Sequence, residues 1–458
     1  MNHKRLKQLV LLSVDLLILI ISLKTTLILR YANKINPVLE KQHFQIFAPI
    51  FLIWLTILYI NSLYDFKKII NQNKLVEKTI KSVLASFFVS MIIFYLVPYA
   101  QITPKTNLII FSGFFLVLFL LWRIFFLSIN RKYLSYSNIA IIGYNEIIRK
   151  TITAIKKNPQ LGFNVKFILT NKNNVLIDIA EMYGLTIIED VNQLSRAIKD
   201  YKIDSLILEK DITEMKDLQK TLFNLLPSGI NYYNLINFYE EISGQIPLEI
   251  LNKAWFLENL NLAEKKNFER IKRVFDICLS SIFIILSLPF CVLIVILIKL
   301  TSPGPVIFKQ TRLGKNNKEF NFYKFRTMRI NNNNQAPTEK NDPRITKIGK
   351  FFRKSRLDEI PQLFNVLKGD MSFVGPRPER PELIKELSNN IPFYNIRSLV
   401  KPGITGWDQI SGEYHSPSIE DTYKKLQYDL FYIKNRSIYL DLGIILKTIK
   451  TALGQEGR

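Results

Sequence analysis

The sequence contains few of the residues that build disulfide frameworks or multi-histidine metal sites. Its two cysteines, Cys278 and Cys291, lie in one apolar run and would be roughly 20 Å apart in a continuous helix. That separation excludes a disulfide between them, and two cysteines do not make a Cys-rich zinc site. The three histidines, His3, His43 and His415, are too few for chemistry that needs several imidazoles.

Acidic residues are also scarce relative to basic ones. The 458 residues include 38 Asp and Glu against 62 Lys and Arg, which gives a formal net charge of +24. An apolar content of 48% excludes intrinsic disorder, and the length predicts two or three domains. A chain this basic has either nucleic acid or anionic membranes and phosphorylated substrates as partners. Its long apolar runs favour the membrane, so we expect no nucleic-acid partner.

Four long apolar stretches occupy the first 130 or so residues, at about 6–29, 44–63, 79–97 and 107–129. Each is close to the roughly 20 residues that a helix needs to cross a bilayer. A cleaved signal peptide would explain only the first stretch. The pattern therefore predicts a four-helix transmembrane domain over residues 1–132.

Basic residues flank these stretches unevenly. They are Lys4, Arg5 and Lys7 before the first stretch, Lys67, Lys68, Lys74 and Lys78 in the second loop, and Arg131 and Lys132 after the fourth. The loop after the third stretch holds only Lys105, although the first loop also carries basic residues, Arg30, Lys34 and Lys41. Because positive residues favour the cytoplasmic side, both ends of the four-helix domain are expected in the cytoplasm.

Two charged residues interrupt the apolar stretches, Asp15 in the first and Arg123 in the fourth. We expect Asp15 to pair with another helix and Arg123 to snorkel to the membrane interface. A functional relay through the membrane is the alternative.

A fifth apolar stretch, 274–300, has basic clusters on both sides and Pro289 in its middle. A spanning helix would place one cluster outside the cell, against the charge rule. Proline also kinks or breaks a helix, because it lacks an N–H group and its ring clashes with the preceding turn. Both observations favour a re-entrant hairpin that returns to the cytoplasmic face. The alternative is an ordinary fifth span, which would put the residues on either side of the stretch in different compartments.

Residues 137–245 alternate strand-like and helical segments, which predicts a small parallel α/β domain. Its first strand ends at Gly143, as in dinucleotide-binding folds. No second or third glycine follows, so the phosphate-binding fingerprint is incomplete. We therefore expect a degenerate Rossmann-like module with a regulatory or packing role.

Basic and aromatic residues interleave over 308–326 and include Lys324 and Arg326. Such a pattern can bind single-stranded nucleic acid by charge and stacking. Immediately beside a membrane segment, it favours binding of lipid headgroups and of a phosphorylated substrate.

The segment 353–378 carries the strongest candidate for chemistry. Pro361 is tolerated only in the first turn of a helix, so the helix that Gly369 ends must start near Asp358. This places Asp358 and Glu359 where unpaired N–H groups favour anions, with Arg353 just upstream. A carboxylate in such a site can act as a nucleophile towards phosphorus. Simple capping of the helix by the two carboxylates is the alternative.

Several ordered motifs surround these carboxylates. They are Lys-Phe-Arg-Thr-Met at 324–328, Leu-Asp-Glu-Ile-Pro-Gln-Leu-Phe-Asn-Val-Leu-Lys-Gly-Asp-Met-Ser at 357–372, Val-Gly-Pro-Arg-Pro at 374–378 and Lys-Pro-Gly-Ile-Thr-Gly-Trp at 401–407. Together they resemble the monotopic phosphoglycosyl transferases, also called bacterial sugar transferases, over about 270–453. The whole chain is similar to the long form of that family. The implied fold is a multi-domain membrane protein with a four-helix transmembrane bundle, a Rossmann-like α/β module, and an α-rich catalytic domain, 270–458, on a re-entrant helix.

The resemblance implies a transfer of hexose 1-phosphate from a nucleotide sugar, expected to be a UDP-sugar, to undecaprenyl phosphate. This would be the first membrane step of exopolysaccharide or O-antigen assembly, at the cytoplasmic face of the bacterial inner membrane, with a homodimer as a further expectation. By resemblance, Asp358 is the nucleophile, and Glu359 is its partner in holding Mg²⁺. The implied binding residues are Arg353, Lys324, Arg326, Pro376, Arg377 and Pro378.

The sequence departs from the family pattern at two places. Leu288 precedes Pro289 where the family commonly has serine, and Glu413 follows Gly412 where the family usually has arginine. Two other functions were weighed. A membrane-anchored nucleotide-sugar dehydratase or epimerase would need a glycine-rich loop and a Tyr-x-x-x-Lys pair in the middle domain, but that spacing occurs only from Tyr64 to Lys68. The other alternative is a non-catalytic scaffold for polysaccharide assembly.

Overall fold

The computed structural model describes residues 2–32, 35–64, 72–96, 104–133, 137–170, 183–209, 216–329, 342–411 and 418–453. The second-loop lysines Lys67 and Lys68, and Glu413 with its neighbour Gly412, lie outside the described residues. The chain forms two compact units, Met1–Leu235 and Ile236–Arg458.

The first unit begins with four apolar helices in its described residues, as the sequence predicted. They are α1 (Asn2–Tyr31), α2 (Pro37–Ile60), α3 (Gln72–Leu96) and α4 (Pro104–Tyr133). Each contains a segment long and apolar enough to cross a membrane. α4 packs against α1 and α3, and the buried ring of Trp54 stands edge-on to Phe111 and Phe115 with ring centroids 5.0 Å apart.

Asp15 and Arg123 form a buried ion pair between α1 and α4. Arg123 Nη2 donates to Asp15 Oδ2 over 2.6 Å, and neither side chain is more than 2% exposed. The guanidinium also lies over the rings of Phe119 and Tyr64. The predicted pairing of Asp15 with another helix is confirmed. The prediction that Arg123 snorkels is wrong, because its charge is neutralised inside the protein.

The rest of the first unit is a parallel five-stranded sheet in the order β3-β2-β1-β4-β5. The strands are β1 (Ser137–Ile142), β2 (Phe163–Leu169), β3 (Thr186–Ile188), β4 (Ser205–Leu208) and β5 (Asn231–Asn234), and the helices are α5 (Glu146–Lys157), α6 (Leu194–Asp200) and α7 (Lys216–Asn224). This is the strand order of a Rossmann-like, doubly wound domain. β5 was not predicted from the sequence, because Asn-Tyr-Tyr-Asn has no apolar pattern.

The second unit carries all the sequence motifs of the candidate site. Its elements are α8 (Leu235–Ser243), α9 (Lys253–Asn259), α10 (Lys266–Thr301), β6 (Ile307–Leu313), β7 (Glu319–Phe325), α11 (Lys347–Lys354), α12 (Gln362–Lys368), β8 (Ser372–Val374), α13 (Pro381–Asn390), β9 (Gly403–Thr405), α14 (Ile419–Asn435) and α15 (Ile438–Leu453). β6 and β7 form an antiparallel hairpin, whereas β8 and β9 pair in parallel. Buried apolar side chains from α12, β8, α14 and α15 share one core.

The segment after Leu235 packs within this second unit. Trp407 Nε1 donates to the carbonyl of Gly244 over 2.8 Å, and the N–H of Ile246 donates to the carbonyl of Gln427 over 3.1 Å. The two units divide after Leu235, whereas the predicted middle domain extended to residue 245.

The fifth apolar stretch lies within α10, one helix of 36 residues with Pro289 inside it. Ser287 Oγ donates to the carbonyl of Ile284 over 3.1 Å, just before the proline, and Leu288 is exposed. The helical backbone thus continues through Pro289 without a break, and a kink there stays a prediction. A re-entrant course requires a bend within continuous helical backbone.

Candidate active site

The Asp358–Glu359 dyad lies in a short 3₁₀ turn, Leu357–Glu359, between α11 and α12. Arg356 starts the turn in the left-handed region, with φ of 55°. Pro361 directly precedes α12, and Gly369 ends that helix with φ of 98°, a conformation that glycine adopts without strain. The dyad thus lies in a separate turn, and the helix begins at Gln362 rather than near Asp358 as predicted, whereas Gly369 ends the helix as predicted.

Asp358 is a buried carboxylate, only 8% exposed. Burial raises its pKa to about 6, and the like charge of Glu359 acts in the same direction. The positive charges of Lys324 and Arg353 oppose this rise. At neutral pH the carboxylate is therefore mostly ionised, yet more basic than an exposed aspartate.

Lys324 is the cation whose charge opposes the rise in the pKa of Asp358 most strongly. It lies near the end of β7, where its ammonium group is 5.0 Å from the ring centre of Phe308 on β6. Burial lowers the pKa of Lys324 to about 8, although the attraction of Asp358 acts to raise it. A carboxyl group and a lysine with pKa values displaced towards neutrality are typical of catalytic sites.

Glu359 is held by two arginines. Arg377 Nη2 donates to Glu359 Oε1 over 3.2 Å, and Arg356 Nη1 lies 3.9 Å from Glu359 Oε2. The negative charge of Glu359 raises the pKa of Arg377. The carbonyl of Arg377 accepts a hydrogen bond from Arg397 Nη2 over 2.9 Å. The Val-Gly-Pro-Arg-Pro motif is therefore fixed against the dyad.

The structure brings together most, but not all, of the predicted binding residues. Arg353 lies in the last turn of α11, and its charge acts on Asp358. Arg326 is directed elsewhere: it donates to the carbonyls of Ser302 and Pro303 over 2.7 and 2.9 Å. Arg326 thus secures the end of α10, and its role in binding phosphate stays a prediction.

Pro376, Arg377 and Pro378 line a small open cavity. The carbonyl of Pro376 accepts from the N–H of Gly403 over 3.0 Å. The carbonyl of Pro378 accepts from Arg312 Nη1, also over 3.0 Å. Since Arg377 contacts both this cavity and Glu359, the cavity adjoins the dyad.

A buried network of charged side chains beside this cavity was not predicted from the sequence. Glu379 pairs with Lys425 and lies 3.8 Å from Arg397 Nη1, while Arg397 Nη2 lies 2.9 Å from Asp429 Oδ2. Burial acts to raise the pKa of Glu379, but Lys425, Arg397 and Arg312 lower it to about 2. The one available signal was that Glu379 directly follows the Val-Gly-Pro-Arg-Pro motif.

The first turns of α10 hold two elements that follow the dyad. Lys272 Nζ donates to the carbonyl of Val374 over 2.9 Å and also pairs with Asp441. Arg273 Nη1 donates to the carbonyl of Val366 in α12 over 2.6 Å. The ends of α12 and β8 are therefore anchored to α10.

Two adjacent carboxylates are the candidate ligands for a metal ion. Among the described residues, no group of three or more His, Cys, Asp or Glu side chains could hold one. Mg²⁺ commonly binds through one or two carboxylates, with water and substrate phosphates completing its coordination. The charge of Glu359 raises the pKa of Asp358, and a cation between the carboxylates would relieve that repulsion. The donor set fits Mg²⁺ shared with a substrate phosphate.

Two family models match the chain. Residues 267–455 match the model described as "Bacterial sugar transferase". Residues 60–233 match the model described as "CoA-binding domain". The first match includes the dyad and all four motifs, and the second includes most of the Rossmann-like sheet.

Three curated relatives illustrate the similarity. A UDP-N-acetylgalactosamine-undecaprenyl-phosphate N-acetylgalactosaminephosphotransferase of Aeromonas hydrophila is 41% identical over 226 residues, 49% of this chain and 52% of the relative. A UDP-glucose:undecaprenyl-phosphate glucose-1-phosphate transferase of Xanthomonas campestris pv. campestris is 30% identical over 331 residues, 69% of this chain and 67% of the relative. An exopolysaccharide production protein of Rhizobium leguminosarum bv. phaseoli is 43% identical over 194 residues, 40% of this chain and 95% of the relative. The chain thus spans about half the length of the Aeromonas relative.

Proposed function

The chain belongs to the bacterial sugar transferase family, and on this premise we propose that it transfers a hexose 1-phosphate from a UDP-sugar to undecaprenyl phosphate. The Aeromonas and Xanthomonas relatives are named for different sugars but for the same donor nucleotide and the same lipid acceptor. The observation that carries the proposal is the buried Asp358 carboxylate, adjacent to Glu359 and influenced by the charge of Lys324.

The first displacement uses Asp358 as the nucleophile. A carboxylate oxygen attacks the phosphorus next to the sugar, the bond from that phosphorus to the UMP oxygen breaks, and UMP leaves. The phosphosugar is then joined to Asp358 as an acyl phosphate. Lys324 and Arg353 balance the negative charge that phosphate brings to this buried position.

The second displacement releases the product and restores the enzyme. A phosphate oxygen of undecaprenyl phosphate attacks the same phosphorus, and the acyl phosphate bond to Asp358 breaks. Asp358 leaves as a carboxylate, and the product is undecaprenyl diphosphate hexose. Arg377 and Arg356 hold Glu359 through both steps, which keeps its charge in place beside the reacting phosphate.

Asp358 and Glu359 would hold Mg²⁺ together with the donor diphosphate. When bound, the ion would offset phosphate charge and help UMP to leave. The adjacency of the two carboxylates supports this assignment, because Mg²⁺ commonly binds through one or two carboxylates together with substrate phosphates.

A re-entrant course of α10 is part of the proposal. Near its start, Arg273 bonds α12, and at its end Ser302 accepts from Arg326, which follows β7. β7 and α12 are themselves joined, since the N–H of Tyr323 donates to Asn365 Oδ1 over 3.2 Å. In a straight helix, residues 273 and 302 would be about 44 Å apart. The two ends of α10 therefore contact α12 and the segment after β7, which are bonded to each other. These contacts support a bend of α10 near Pro289.

The middle of α10 has the surface expected of a segment in lipid. Ile285, Leu286, Phe290 and Val292 are each 60 to 66% exposed. An exposed apolar centre with both ends packed on one unit supports insertion into the membrane from one side. We place the active site at the cytoplasmic face of the bacterial inner membrane. That two copies of this chain form a homodimer stays a prediction.

The proposal is tested by incubating the purified full chain with a panel of UDP-sugars, undecaprenyl phosphate and Mg²⁺. UMP release and a labelled lipid-linked sugar should appear together with at least one sugar. The proposal would be contradicted if no sugar in the panel gave a lipid-linked product while an authentic family member was active in the same assay.

A further inference from the structure

The Rossmann-like domain has a loop where domains of this kind bind their ligands. In open α/β sheets, ligands lie beyond the carboxyl ends of the strands, at the point where the strand order reverses. Here that point lies between β1 and β4. The loop from Gly143 to Asn145 follows β1 and leads into α5.

A carboxylate of the chain itself occupies this loop. Glu209 directly follows β4, and its Oε2 accepts the N–H of Tyr144 over 2.9 Å. Its Oε1 accepts from Asn145 Nδ2 over 3.2 Å. Asn145 also caps α5, since its Oδ1 accepts the N–H of Ile148 over 2.9 Å. Glu209 therefore binds the loop through both carboxylate oxygens.

Gly143 allows this close approach. Its φ is 99°, and a Cβ atom at this position would lie 2.1 Å from Glu209 Oε2. A glycine at the end of the first strand commonly lets the backbone approach a ligand pyrophosphate. In this chain the same lack of a side chain admits the carboxylate of Glu209.

We propose that Glu209 takes the position of a ligand phosphate in this domain, and that the domain therefore excludes CoA and dinucleotides. The loop N–H of Tyr144 is already bonded, and the carboxylate would repel a phosphate group placed beside it. The donor set thus does not fit CoA, although residues 60–233 match a model described as a CoA-binding domain.

The first test is calorimetric titration of the full chain in detergent with CoA and, separately, with NAD. The expected result for the wild type is a dissociation constant weaker than about 1 mM for both ligands. A micromolar dissociation constant for either ligand would overturn the proposal, whatever the transferase activity of the same sample.

The second test isolates the carboxylate. Glu209→Ala should bind CoA at least about 10-fold more tightly than the wild type, because the repulsion is removed and the Tyr144 N–H is freed. Glu209→Gln removes only the charge and should give a smaller gain. Asp200→Ala is the matched control, because Asp200 pairs with Arg196 on the surface at the end of α6, before β4 begins, and should leave CoA binding unchanged.

If Glu209→Gln and Glu209→Ala bind CoA no better than the wild type, Glu209 does not exclude the ligand and the proposal fails. The melting temperature of each variant is measured alongside, so that a misfolded Glu209→Ala sample is replaced by Glu209→Gln in this comparison.

Discussion

Lys324 and Asp358 carry opposite charges, and burial brings their pKa values closer together. The pKa of Asp358 is raised to about 6, and that of Lys324 is lowered to about 8. Between these values the carboxylate and the ammonium group are both charged. This is the state that nucleophilic attack on a phosphosugar requires.

The pair predicts a bell-shaped pH dependence for the first half-reaction. As the pH falls through about 6, Asp358 gains a proton and attack is lost; as it rises through about 8, Lys324 loses its charge. The rate of the UMP burst with UDP-sugar alone measures this step without the acceptor lipid. Lys324→Arg should keep partial activity and lose the alkaline limb, because arginine remains charged. A burst rate that does not fall in acid would contradict the assignment to Asp358.

Arg353 and Arg326 should respond differently to the same substitution. Arg353→Lys keeps the charge but loses the planar fork that suits phosphate, so kcat/KM should fall by about 10- to 100-fold, the effect of one hydrogen bond to a charged group. Arg326→Lys should lower the melting temperature and leave the KM for UDP-sugar unchanged, because Arg326 bonds the end of α10. A raised KM for UDP-sugar in Arg326→Lys would support the predicted role of Arg326 in binding phosphate.

Glu379→Gln should destabilise the second unit, because Lys425 and Arg397 would remain buried without their shared carboxylate. The expected loss at neutral pH is about 3–5 kcal/mol. The pKa of Glu379 is lowered to about 2, so its stabilising effect is present above the ordinary glutamate pKa and is lost as the pH falls through about 2.

The melting temperatures of the wild type and Glu379→Gln should therefore differ most at neutral pH and converge in acid. Glu382→Gln, at an exposed position of α13, is the matched control and should be nearly neutral. A constant difference between the two proteins across the acid range would show that Glu379 is not the titrating group.

Labelling of introduced cysteines tests the re-entrant course of α10. In a background with Cys278 and Cys291 replaced by serine, cysteines at Lys265 and Lys315 should both react only from the cytoplasmic side. A cysteine at Asn36, in the predicted outer loop, should react from outside and serves as the control. Labelling of Lys265 and Lys315 from opposite sides would establish an ordinary membrane span.

The sequence was sufficient for features set by neighbours along the chain. Pro361 and Gly369 bounded the helix after the dyad, and contiguous apolar runs identified the membrane helices and the main strands. Asp358 and Glu359 are adjacent in the chain, so a local motif contained both.

Contacts between residues far apart in the sequence could not be predicted from such local motifs. Arg326 and Lys324 belong to one basic motif. The charge of Lys324 acts on Asp358, whereas Arg326 donates hydrogen bonds to the carbonyls at the end of α10. The partners of Glu379 lie far along the chain, at Arg397 and Lys425.

The central claim is that the phosphosugar is bonded to Asp358 between two displacements. The most direct measurement mixes stoichiometric full-length enzyme with UDP-sugar labelled in the phosphosugar, without undecaprenyl phosphate, and quantifies UMP and labelled protein. We expect at most one UMP per enzyme, an equal amount of label on the peptide that contains Asp358, and transfer of that label to undecaprenyl phosphate once it is added. Asp358→Asn should give neither UMP nor label. Release of UMP only when both substrates are present, with no labelled protein, would contradict the account and reduce Asp358 to a metal ligand or base.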